Sequence, residues 1–566
     1  MEEIEKRNKE LLEEIEKLKR QIKALKSKKK YGLVWEEEKE PEHIVLECQT
    51  KIPILKELKE KRIVTDEEKP MNILIEGDNY HALTVLNYTH KGKIDLIYID
   101  PPYNTGKANE WKYNDKWIDQ NDAYKHSKWL NFMSIRLKLA KELLSERGMI
   151  FISIDDNEFA QLKLLCDSVF GEENFIAVFP RKSGIAPRID AKHISVEHDY
   201  VICYAKNSAL VKFNKVSMAE DDSYKYEDEF VEIRGRYKLN KLDRGSIHYS
   251  ENLVYPIEAP DGTLIWPGGE KGKPNWTWRW SKEKVKWGIE NKYIVFKKTN
   301  NKWSVYFKQY QFVDNNGKPI ERSIPYKSLI LDFPNELGNQ ELESIFHERV
   351  FDYPKPVGLI KYLIKLCENK NATILDFFAG SGTTGQAVFE LNKEDGGNRQ
   401  FILCTNDENN ICTEVCYPRI VKVMNGYKKP NGKEVEKLGG NLIYFETKLI
   451  DIDHITHISD EQKIKLTYEA GEMISLREGT FEEVEKNEWW QIFKNKTKYT
   501  VIYFKEDKSR LNELVKKLSK LKEKVVLYIF SWGKNEYKNE FTEYKNIRVE
   551  DIPEPIIDVY KEVNKL

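Results

Sequence analysis

Residues 372–388 read ATILDFFAGSGTTGQAV and carry one of the two most informative patterns in the chain. It begins as an apolar strand, passes through the small residues 379–382, and opens a helix at Thr383. Small residues let the backbone approach a ligand, and a helix N-terminus offers free N–H groups to it. The block is neither a Walker loop nor the full GxGxxG dinucleotide fingerprint. Its strand–turn–helix context predicts a ligand-binding turn, with Asp376 and Phe378 completing the pocket.

A second apolar strand lies far upstream, where residues 93–106 read KIDLIYIDPPYNTG. The Asp-Pro-Pro-Tyr segment at 100–103 has groups that could bind and activate an aromatic amino group. Such a group is a weak nucleophile because its lone pair is delocalised into the ring. The Asp100 carboxylate and a carbonyl of Pro101 or Pro102 could each accept one of its N–H groups, since successive prolines remove two backbone donors. Tyr103 offers a flat face on which an extruded base can stack. A Pro-Pro turn capped by Asp and packed by Tyr would have the same sequence, so the tetrapeptide alone leaves both interpretations open.

Strands and helices alternate around this second block. We predict strands at 71–78, 95–100, 149–155 and 200–206, and a helix from about 122 to 146 that Gly148 ends. This alternation is typical of a doubly wound sheet, which binds ligands at the carboxyl ends of its strands. Asp78, Asp100 and Asp155 all stand at such ends. Carboxylates there are often turn-formers or helix caps, but three in succession favour a site.

Composition sets wider bounds. The chain has 566 residues, enough for three or four domains, and its net charge of −1 implies that any nucleic-acid surface is local. Its seven cysteines include no CxxC pair, so we expect buried thiols and no metal. The N-terminus lacks the apolar core of a signal peptide and no run reaches transmembrane length, which predicts a cytoplasmic protein.

The first thirty residues carry a heptad pattern. One set of positions is occupied by Ile4, Leu11, Leu18 and Leu25, and the other by Asn8, Ile15 and Ile22. This arrangement favours a parallel two-stranded coiled coil in which one buried Asn fixes the register. The segment therefore predicts a homodimer, although a single amphipathic helix lying on its own protein would show the same pattern.

The region between the two blocks is rich in basic and aromatic side chains. Residues 271–310 contain eleven Lys or Arg against two Glu, together with five tryptophans. Such a mixture suits contact with phosphates and bases, while most of the rings are expected in a small β-rich core. We predict Arg279 as a DNA contact. Arg181, Lys182 and Arg188, in a Gly/Pro-broken loop, are predicted to grip DNA near the catalytic mouth; a plain surface loop is the alternative.

Taken together, the two blocks resemble the β group of amino-methyltransferases, and specifically the modification (Mod) subunit of type III restriction-modification systems. In that group Asp-Pro-Pro-Tyr precedes Phe-x-Gly-x-Gly, and the target-recognition segment lies between them. The resemblance covers roughly residues 30–444. It implies a doubly wound, mostly parallel α/β sheet of the Rossmann-like methyltransferase type, with S-adenosylmethionine as methyl donor and no metal.

The resemblance also implies roles for individual residues. The flipped base would be held by the catalytic residues Asp100, Pro101, Pro102 and Tyr103. The donor pocket would be formed by Asp78, Lys355, Pro356, Asp376, Phe378, Ala379, Gly380, Ser381, Gly382 and Thr383. One position departs from the family, which usually carries an acidic residue for the ribose at the end of the next strand. Here that strand ends in Thr405-Asn406-Asp407, so we predict Asn406 or Asp407 for this role.

These observations predict five regions. They are an N-terminal coiled coil (1–30), the catalytic half of a methyltransferase domain (31–210), a target-recognition insert (211–340), the donor-binding half (341–449) and a C-terminal α/β interaction domain (450–566). No Walker motif or nuclease cluster is recognisable in the sequence. Cleavage of DNA would therefore require a separate restriction subunit.

The resulting interpretation is methylation of adenine N6 in double-stranded DNA after base flipping. Cytosine N4 is the near alternative, because the same site geometry serves both bases; cytosine enzymes of the group more often show Ser where Asp100 stands. A DNA-recognition subunit that kept the fold without activity is a second alternative. An RNA or protein-glutamine methyltransferase fits less well, since those enzymes typically carry Asn at the first position and lack a large insert.

Overall fold

The computed structural model of this chain describes residues 42–105, 125–186, 193–217, 222–245, 250–533, 536–537 and 539–565. The predicted coiled coil at residues 1–30 lies outside them. The chain divides into two compact units. The second unit is Phe213–Tyr326, and the first contains the described residues on either side of it.

The first part of the larger unit alternates strands and helices. Its strands are β1 (Lys51–Glu57), β2 (Ile63–Val64), β3 (Met71–Glu76), β4 (Ile94–Ile99), β5 (Leu144–Ile154), β6 (Phe175–Lys182) and β7 (His198–Ala205). Its helices are α1 (His43–Glu47), α2 (Asn79–Thr89), α3 (Lys125–Leu143) and α4 (Phe159–Phe170).

The second unit consists of short strands around an aromatic core. Its elements are β8 (Lys215–Ser217), α5 (Val231–Arg234), β9 (Tyr237–Lys241), β10 (Asp243–Gly245), β11 (Ile257–Glu258), β12 (Leu264–Ile265), β13 (Trp276–Trp278), α6 (Lys282–Glu290), β14 (Ile294–Thr299), β15 (Lys302–Tyr310) and β16 (Ser323–Pro325). Strands β14, β15 and β9 form a three-stranded sheet. Of the five tryptophans at 271–310, Trp278 and Trp280 are buried in the apolar core of this unit, and Trp287 and Trp303 are partly buried against it.

After this unit the chain returns to the larger one. It forms α7 (Asn335–Phe346), α8 (Val357–Lys365), β17 (Thr373–Asp376), α9 (Thr383–Asp395), β18 (Gln400–Thr405), α10 (Tyr417–Asn425), β19 (Tyr427–Lys428), β20 (Glu434–Val435) and β21 (Asn441–Asp451). The C-terminal part adds α11 (Asp460–Glu469), α12 (Gly471–Glu478), β22 (Glu482–Lys486), β23 (Trp490–Lys494), β24 (Lys498–Tyr503), α13 (Leu511–Leu518), β25 (Lys524–Phe530), β26 (Ile547–Ile552) and α14 (Glu554–Val563).

The central sheet has ten strands in the order β1-β21-β3-β18-β17-β4-β5-β7-β6, and β2 also pairs with β21. The strands from β21 to β5 run parallel to one another. The outer strands of the sheet are antiparallel to their neighbours: β7 and β6 on one side, and β1 and β2 on the other. A mostly parallel sheet connected by helices confirms the predicted α/β class.

Two strands that lie far apart in the sequence are neighbours in this sheet. Strand β17 pairs with β4 through Ile374 opposite Leu96 and Leu375 opposite Ile97. Both strands are buried apolar runs, as expected where helices cover both faces of a parallel sheet. Because parallel strands end at the same edge, the turns after β3, β18, β17 and β4 lie along one edge of the sheet.

Gly148 does not end the preceding helix, contrary to our prediction. Helix α3 ends at Leu143, and β5 already begins at Leu144. Gly148 lies inside β5, where a Cβ atom would stand 2.8 Å from the carbonyl oxygen of Ile94 on the neighbouring strand. The glycine is therefore required by a close approach of two backbones.

The C-terminal part forms a five-stranded sheet in the order β22-β23-β24-β25-β26. We predicted a separate domain here, but this part belongs to the larger compact unit. Met473 of α12 and Ile557 of α14 share one apolar core with Leu83 of α2. The Tyr560 hydroxyl donates a hydrogen bond to the Pro53 carbonyl at 2.7 Å. Packing of this kind fixes the C-terminal sheet to the outer strand β1.

All seven cysteines are free and buried, which agrees with the predicted buried thiols. Within the described ranges, no group of three or more His, Cys, Asp or Glu side chains could hold a metal ion. Over the same residues we find no helix with the length and apolarity needed to cross a bilayer.

Candidate active site

Asp100 directly follows β4, and both oxygens of its carboxylate have partners. Oδ1 accepts a hydrogen bond from the Tyr103 hydroxyl at 2.8 Å, and Oδ2 pairs with Lys355 Nζ at 2.5 Å. The Asp100 side chain is 25% exposed. A carboxylate held from two sides, yet open to solvent, can present its remaining lone pairs in a fixed direction.

The two prolines that follow are buried, but their carbonyl groups are not equivalent. The Pro102 carbonyl accepts a hydrogen bond from the indole Nε1 of Trp129 at 2.7 Å. From the sequence we expected the carbonyl of either Pro101 or Pro102 to accept the second N–H of the substrate amino group. Because Trp129 already uses one lone pair of Pro102, the Pro101 carbonyl is the better candidate.

The chain just beyond Tyr103 is held by a buried carboxylate. Asn104 has a φ of +58°, which is uncommon for a residue with a side chain. Its Nδ2 donates to Glu158 Oε1 at 2.5 Å, and His126 Nδ1 lies 2.6 Å from the same oxygen. Burial raises the pKa of Glu158, and the bonds from Asn104 and His126 oppose this rise. Glu158 was not among our predicted site residues, and no sequence motif identifies it.

The glycine turn follows β17, next to the strand that carries Asp100. Gly380 and Gly382 have φ values of +48° and +79°. A Cβ atom at Gly380 would lie 3.1 Å from the Phe351 ring, and one at Gly382 would lie 3.0 Å from Cys416 Sγ. Both glycines are thus required by conformation and by space. The turn forms a tight backbone cradle at the strand edge, in the position predicted for a donor-binding loop.

Asp376, the last residue of β17, faces into the protein. It is 3% exposed; Oδ1 accepts from the Phe378 backbone N–H at 3.0 Å and Oδ2 from the Thr384 hydroxyl at 2.5 Å. Burial raises the pKa of the Asp376 carboxyl to about 7. We predicted a donor contact here. In the structure its two oxygens brace the two ends of the glycine turn, and the donor contact stays a prediction.

Arg419 of α10 supports the turn from beneath and was not predicted. Its guanidinium is fully buried: Nη1 donates to Ser381 Oγ at 3.0 Å and to Thr383 Oγ1 at 2.8 Å, while Nε donates to Gln386 Oε1 at 2.9 Å. These hydrogen bonds, and a further one from Nη1 to the Ser381 carbonyl at 3.3 Å, fix the second half of the turn and the start of α9 with one rigid planar group. Sequence reasoning had no means to find this contact, because α10 lies well downstream of the glycine block.

The start of α2 meets the same turn. Asp78 caps this helix by accepting the Tyr80 N–H at 2.6 Å. Asn79 Nδ2 donates to the Phe377 carbonyl at 3.1 Å, and the buried Arg136 donates to Asn79 Oδ1 at 2.6 Å. The end of β3 is therefore joined to the glycine turn. Asn79 and Arg136 are further residues that the sequence did not reveal.

A family model described as DNA methylase matches residues 94–415, which include both strand ends. The chain belongs to the DNA methylase family. Three similar relatives are the Mod subunit of the type III restriction-modification enzyme EcoPI of Escherichia phage P1, the StyLTI Mod subunit of Salmonella typhimurium, and the type II methyltransferase M.KpnI of Klebsiella pneumoniae. This finding confirms the resemblance drawn from the motifs.

The extent of the match differs among these relatives. The EcoPI Mod subunit is 34% identical over 388 residues, 61% of this chain and 58% of the relative. The StyLTI Mod subunit is 34% identical over 377 residues, 62% of this chain and 54% of the relative. M.KpnI is 32% identical over 401 residues, 66% of this chain and 89% of the relative. The chain thus spans just over half the length of the two Mod subunits.

Two of the predicted donor-binding residues lie just before α8. Pro356 is the N-cap residue of that helix. Lys355 reaches across to Asp100, and its ammonium also lies 5.1 Å from the centroid of the Tyr103 ring. The structure therefore brings Lys355 to the Asp-Pro-Pro-Tyr motif.

The predicted ribose-binding residues follow β18, the neighbour of β17. Asp407 Oδ1 accepts the backbone N–H of Thr413 at 2.9 Å, and the Thr413 hydroxyl bonds to both carboxylate oxygens. Asp407 thus stabilises the turn that leads to α10. Asn406 stands directly after the strand and is half-buried. Asn406 and Asp407 both remain our predictions for the ribose.

The four predicted DNA contacts have different outcomes. The prediction for Arg181 is wrong: the residue is 1% exposed, and its guanidinium pairs with Asp199 at 2.5 Å and donates to the Phe333 carbonyl at 2.9 Å. A side chain enclosed in this way cannot reach a phosphate. Lys182 is half-buried at the end of β6, and Arg279 is exposed in the second unit. Arg188 lies outside the described residues.

Proposed function

We propose that this chain transfers a methyl group from S-adenosylmethionine to adenine N6 in double-stranded DNA, and that it is the modification subunit of a restriction-modification system. One observation carries the proposal. The Asp100–Tyr103 segment and the glycine turn follow neighbouring parallel strands, so a reacting amino group and a methyl donor would meet at one edge of the sheet. The Mod-like relatives support the second half of the proposal.

The glycine turn suits the proposed donor. Gly380 and Gly382 hold the turn in a backbone conformation that a Cβ atom would disturb by contact with Phe351 and Cys416, and α9 begins directly after it. Bound there, the donor would supply an electrophilic methyl group on a sulfonium. The neighbouring Phe378 is buried and packs 5.9 Å from Phe132, ring centroid to ring centroid, which gives this end of the pocket an apolar wall.

The residues after β4 would hold the nucleophile. Asp100 would accept one N–H of the amino group and the Pro101 carbonyl the other, which draws the nitrogen lone pair out of conjugation. Tyr103 would stack against the flipped base. Little of the rate requires a strong base, because attack on a sulfonium by an oriented nitrogen depends chiefly on positioning and fixed dipoles.

Contact with DNA is assigned to local basic surface. The best candidates among the described residues are Lys182, Arg279 and the lysines of the second unit. Within that unit, residues 271–310 have a net charge of +9, from eleven basic and two acidic side chains. A homodimer through residues 1–30 and a separate restriction subunit complete the proposal.

The test uses the purified full-length chain, labelled S-adenosylmethionine and unmethylated double-stranded DNA, followed by mass spectrometry of the nucleosides. We expect N6-methyladenine with the wild type and none with Asp100→Ala. Asp453→Ala, which changes an exposed aspartate in the C-terminal part, is the matched control and should stay active.

Two other results would change the conclusion. Formation of N4-methylcytosine would keep the mechanism and replace the base. Tight DNA binding without methyl transfer in the wild type would favour a recognition subunit that kept the fold.

A further inference from the structure

Lys355 is a largely enclosed cation whose ammonium contacts the proposed reaction carboxylate. Its side chain is 9% exposed, and Nζ lies 2.5 Å from Asp100 Oδ2. The same ammonium lies 5.1 Å from the centroid of the Tyr103 ring. An enclosed ammonium requires an anionic partner, because burying it unpaired is costly. In this structure Asp100 supplies that partner.

The backbone around Lys355 is held firmly. The residue stands between Pro354 and Pro356, and a residue that precedes proline is confined to extended conformations. The Val357 N–H at the start of α8 donates to Glu341 Oε2 of α7 at 2.8 Å. Helix α7 also packs so closely that a Cβ atom on Gly338 would lie 2.1 Å from the Pro354 carbonyl oxygen. The lysine therefore extends from a rigid base.

We propose that Lys355 is a positioning residue for the carboxylate of Asp100. This inference rests on the proposed function. The Tyr103 hydroxyl fixes one oxygen and Lys355 the other, so that the plane of the carboxylate cannot rotate. A carboxylate offers about four lone-pair directions, and these two partners leave defined ones for the N–H of a substrate amino group.

This role differs from the donor contact that the motif resemblance suggests. A lysine that binds the donor contributes to donor affinity. A lysine that fixes Asp100 contributes to the rate of methyl transfer once the donor is bound. The two roles therefore separate cleanly in an experiment that measures both quantities.

The experiment compares the wild type with Lys355→Met, Lys355→Arg and Lys361→Met as full-length chains. Lys361 is the matched control, since it is also a mostly buried lysine paired with a carboxylate, Glu390, but lies on α8 away from Asp100. Calorimetry measures the affinity for S-adenosylmethionine. Rapid-quench methyl transfer to DNA at saturating donor measures the single-turnover rate.

We expect Lys355→Met to bind the donor within about threefold of the wild type. Its single-turnover rate should fall about 10²-fold, the size of effect that a misplaced reacting group produces. Lys355→Arg keeps the charge and should recover the rate to within about tenfold of the wild type, although its planar fork does not reproduce the geometry. Lys361→Met should change neither quantity.

The proposal is overturned if the rate of Lys355→Met at saturating donor is close to that of the wild type, whatever happens to donor affinity. A lower donor affinity with a normal rate would assign Lys355 to the donor. Should Lys355→Met fail to fold, as judged by circular dichroism, Lys355→Leu provides the same test, because it also removes the donor to Asp100 Oδ2. Absence of methyl transfer in the wild type would instead overturn the proposed function itself.

Discussion

Asp100 and Asp376 stand at the ends of neighbouring parallel strands, yet their carboxylates have opposite surroundings. Asp100 is 25% exposed and is held by a tyrosine and a lysine. Asp376 is 3% exposed and is held by a backbone N–H and a threonine hydroxyl of its own turn. The same residue type at equivalent strand ends therefore presents an acceptor outward in one case and braces a loop in the other. The position of a carboxylate at a strand end indicates a functional site, but its burial distinguishes a reacting group from a structural one.

The largest expected effect separates the two aspartates by activity. Asp100→Asn removes the charge that faces the amino group and Lys355, and should lower the single-turnover rate of methyl transfer by roughly 10²- to 10³-fold. Asp376→Asn keeps an acceptor for the Phe378 N–H and should stay within about fivefold of the wild type. Rapid-quench kinetics on both variants measures the contrast. Equal losses would show that both carboxylates act in the reaction.

The second prediction concerns the contribution of Asp376 to the free energy of unfolding. Asp376→Ala leaves the Phe378 N–H and the Thr384 hydroxyl buried without their acceptor, which should cost about 3 kcal/mol of unfolding free energy. Urea denaturation followed by fluorescence checks this value. Asp376→Asn is the control and should lose much less. A free energy of unfolding for Asp376→Ala that matches the wild type would contradict a bracing role.

The third effect is the pH dependence of stability. Since burial raises the pKa of folded Asp376 to about 7, its protonated form is favoured in the folded state. The stabilisation that Asp376 contributes is fully present at pH values below its pKa in the unfolded chain. It is lost as the pH rises through its pKa in the folded protein. Between pH 5 and pH 7 the loss should be on the order of 2 kcal/mol.

This pH dependence is measured as the difference between two proteins. Urea denaturation of the wild type and of Asp376→Asn at both pH values cancels the contribution of the other titrating groups. The wild type should lose more stability than the variant as pH rises from 5 to 7. Parallel pH curves for the two proteins would contradict the raised pKa.

The smallest effect tests the cradle itself. Gly382→Ala places a side chain at a φ of +79° and within 3.0 Å of Cys416 Sγ. Gly396→Ala is the matched control, because its φ is +67° and nothing lies within 4 Å of the new Cβ. Both should lose about 1 kcal/mol from backbone strain. Calorimetry should show weaker donor binding for Gly382→Ala alone, and equal donor binding in both variants would argue against the cradle.

Local sequence was sufficient for part of this site. The apolar runs before Asp100 and Asp376 predict strands, because both faces of a parallel strand are buried. The glycines of the turn predict a close backbone approach, since only glycine adopts positive φ without strain. The order of the two motifs also led to the family. The first two inferences depend on residues within one short segment, and the third on the order of two such segments.

Other features of the site depend on long-range packing and could not be predicted from the sequence. Arg181 looked like a DNA contact in a basic loop, but Asp199 and the Phe333 carbonyl enclose it. Arg419 and Glu158 stabilise the site from segments that carry no motif. Their partners come from distant strands and helices, and sequence spacing contains no information about which buried charge meets which acceptor.

From the amino-acid sequence alone we predicted the α/β class and the two strand ends, because these follow from local periodicity and from residues with special backbone requirements; the family followed from the resemblance of the two motifs and their order. Only the tertiary structure decided that β4 and β17 are neighbours, that Lys355 contacts Asp100, and that Asp376 is buried. The physical reason is that solvent exposure and charge pairing are properties of the packed chain. A carboxylate becomes a reaction partner or a structural brace according to what covers it.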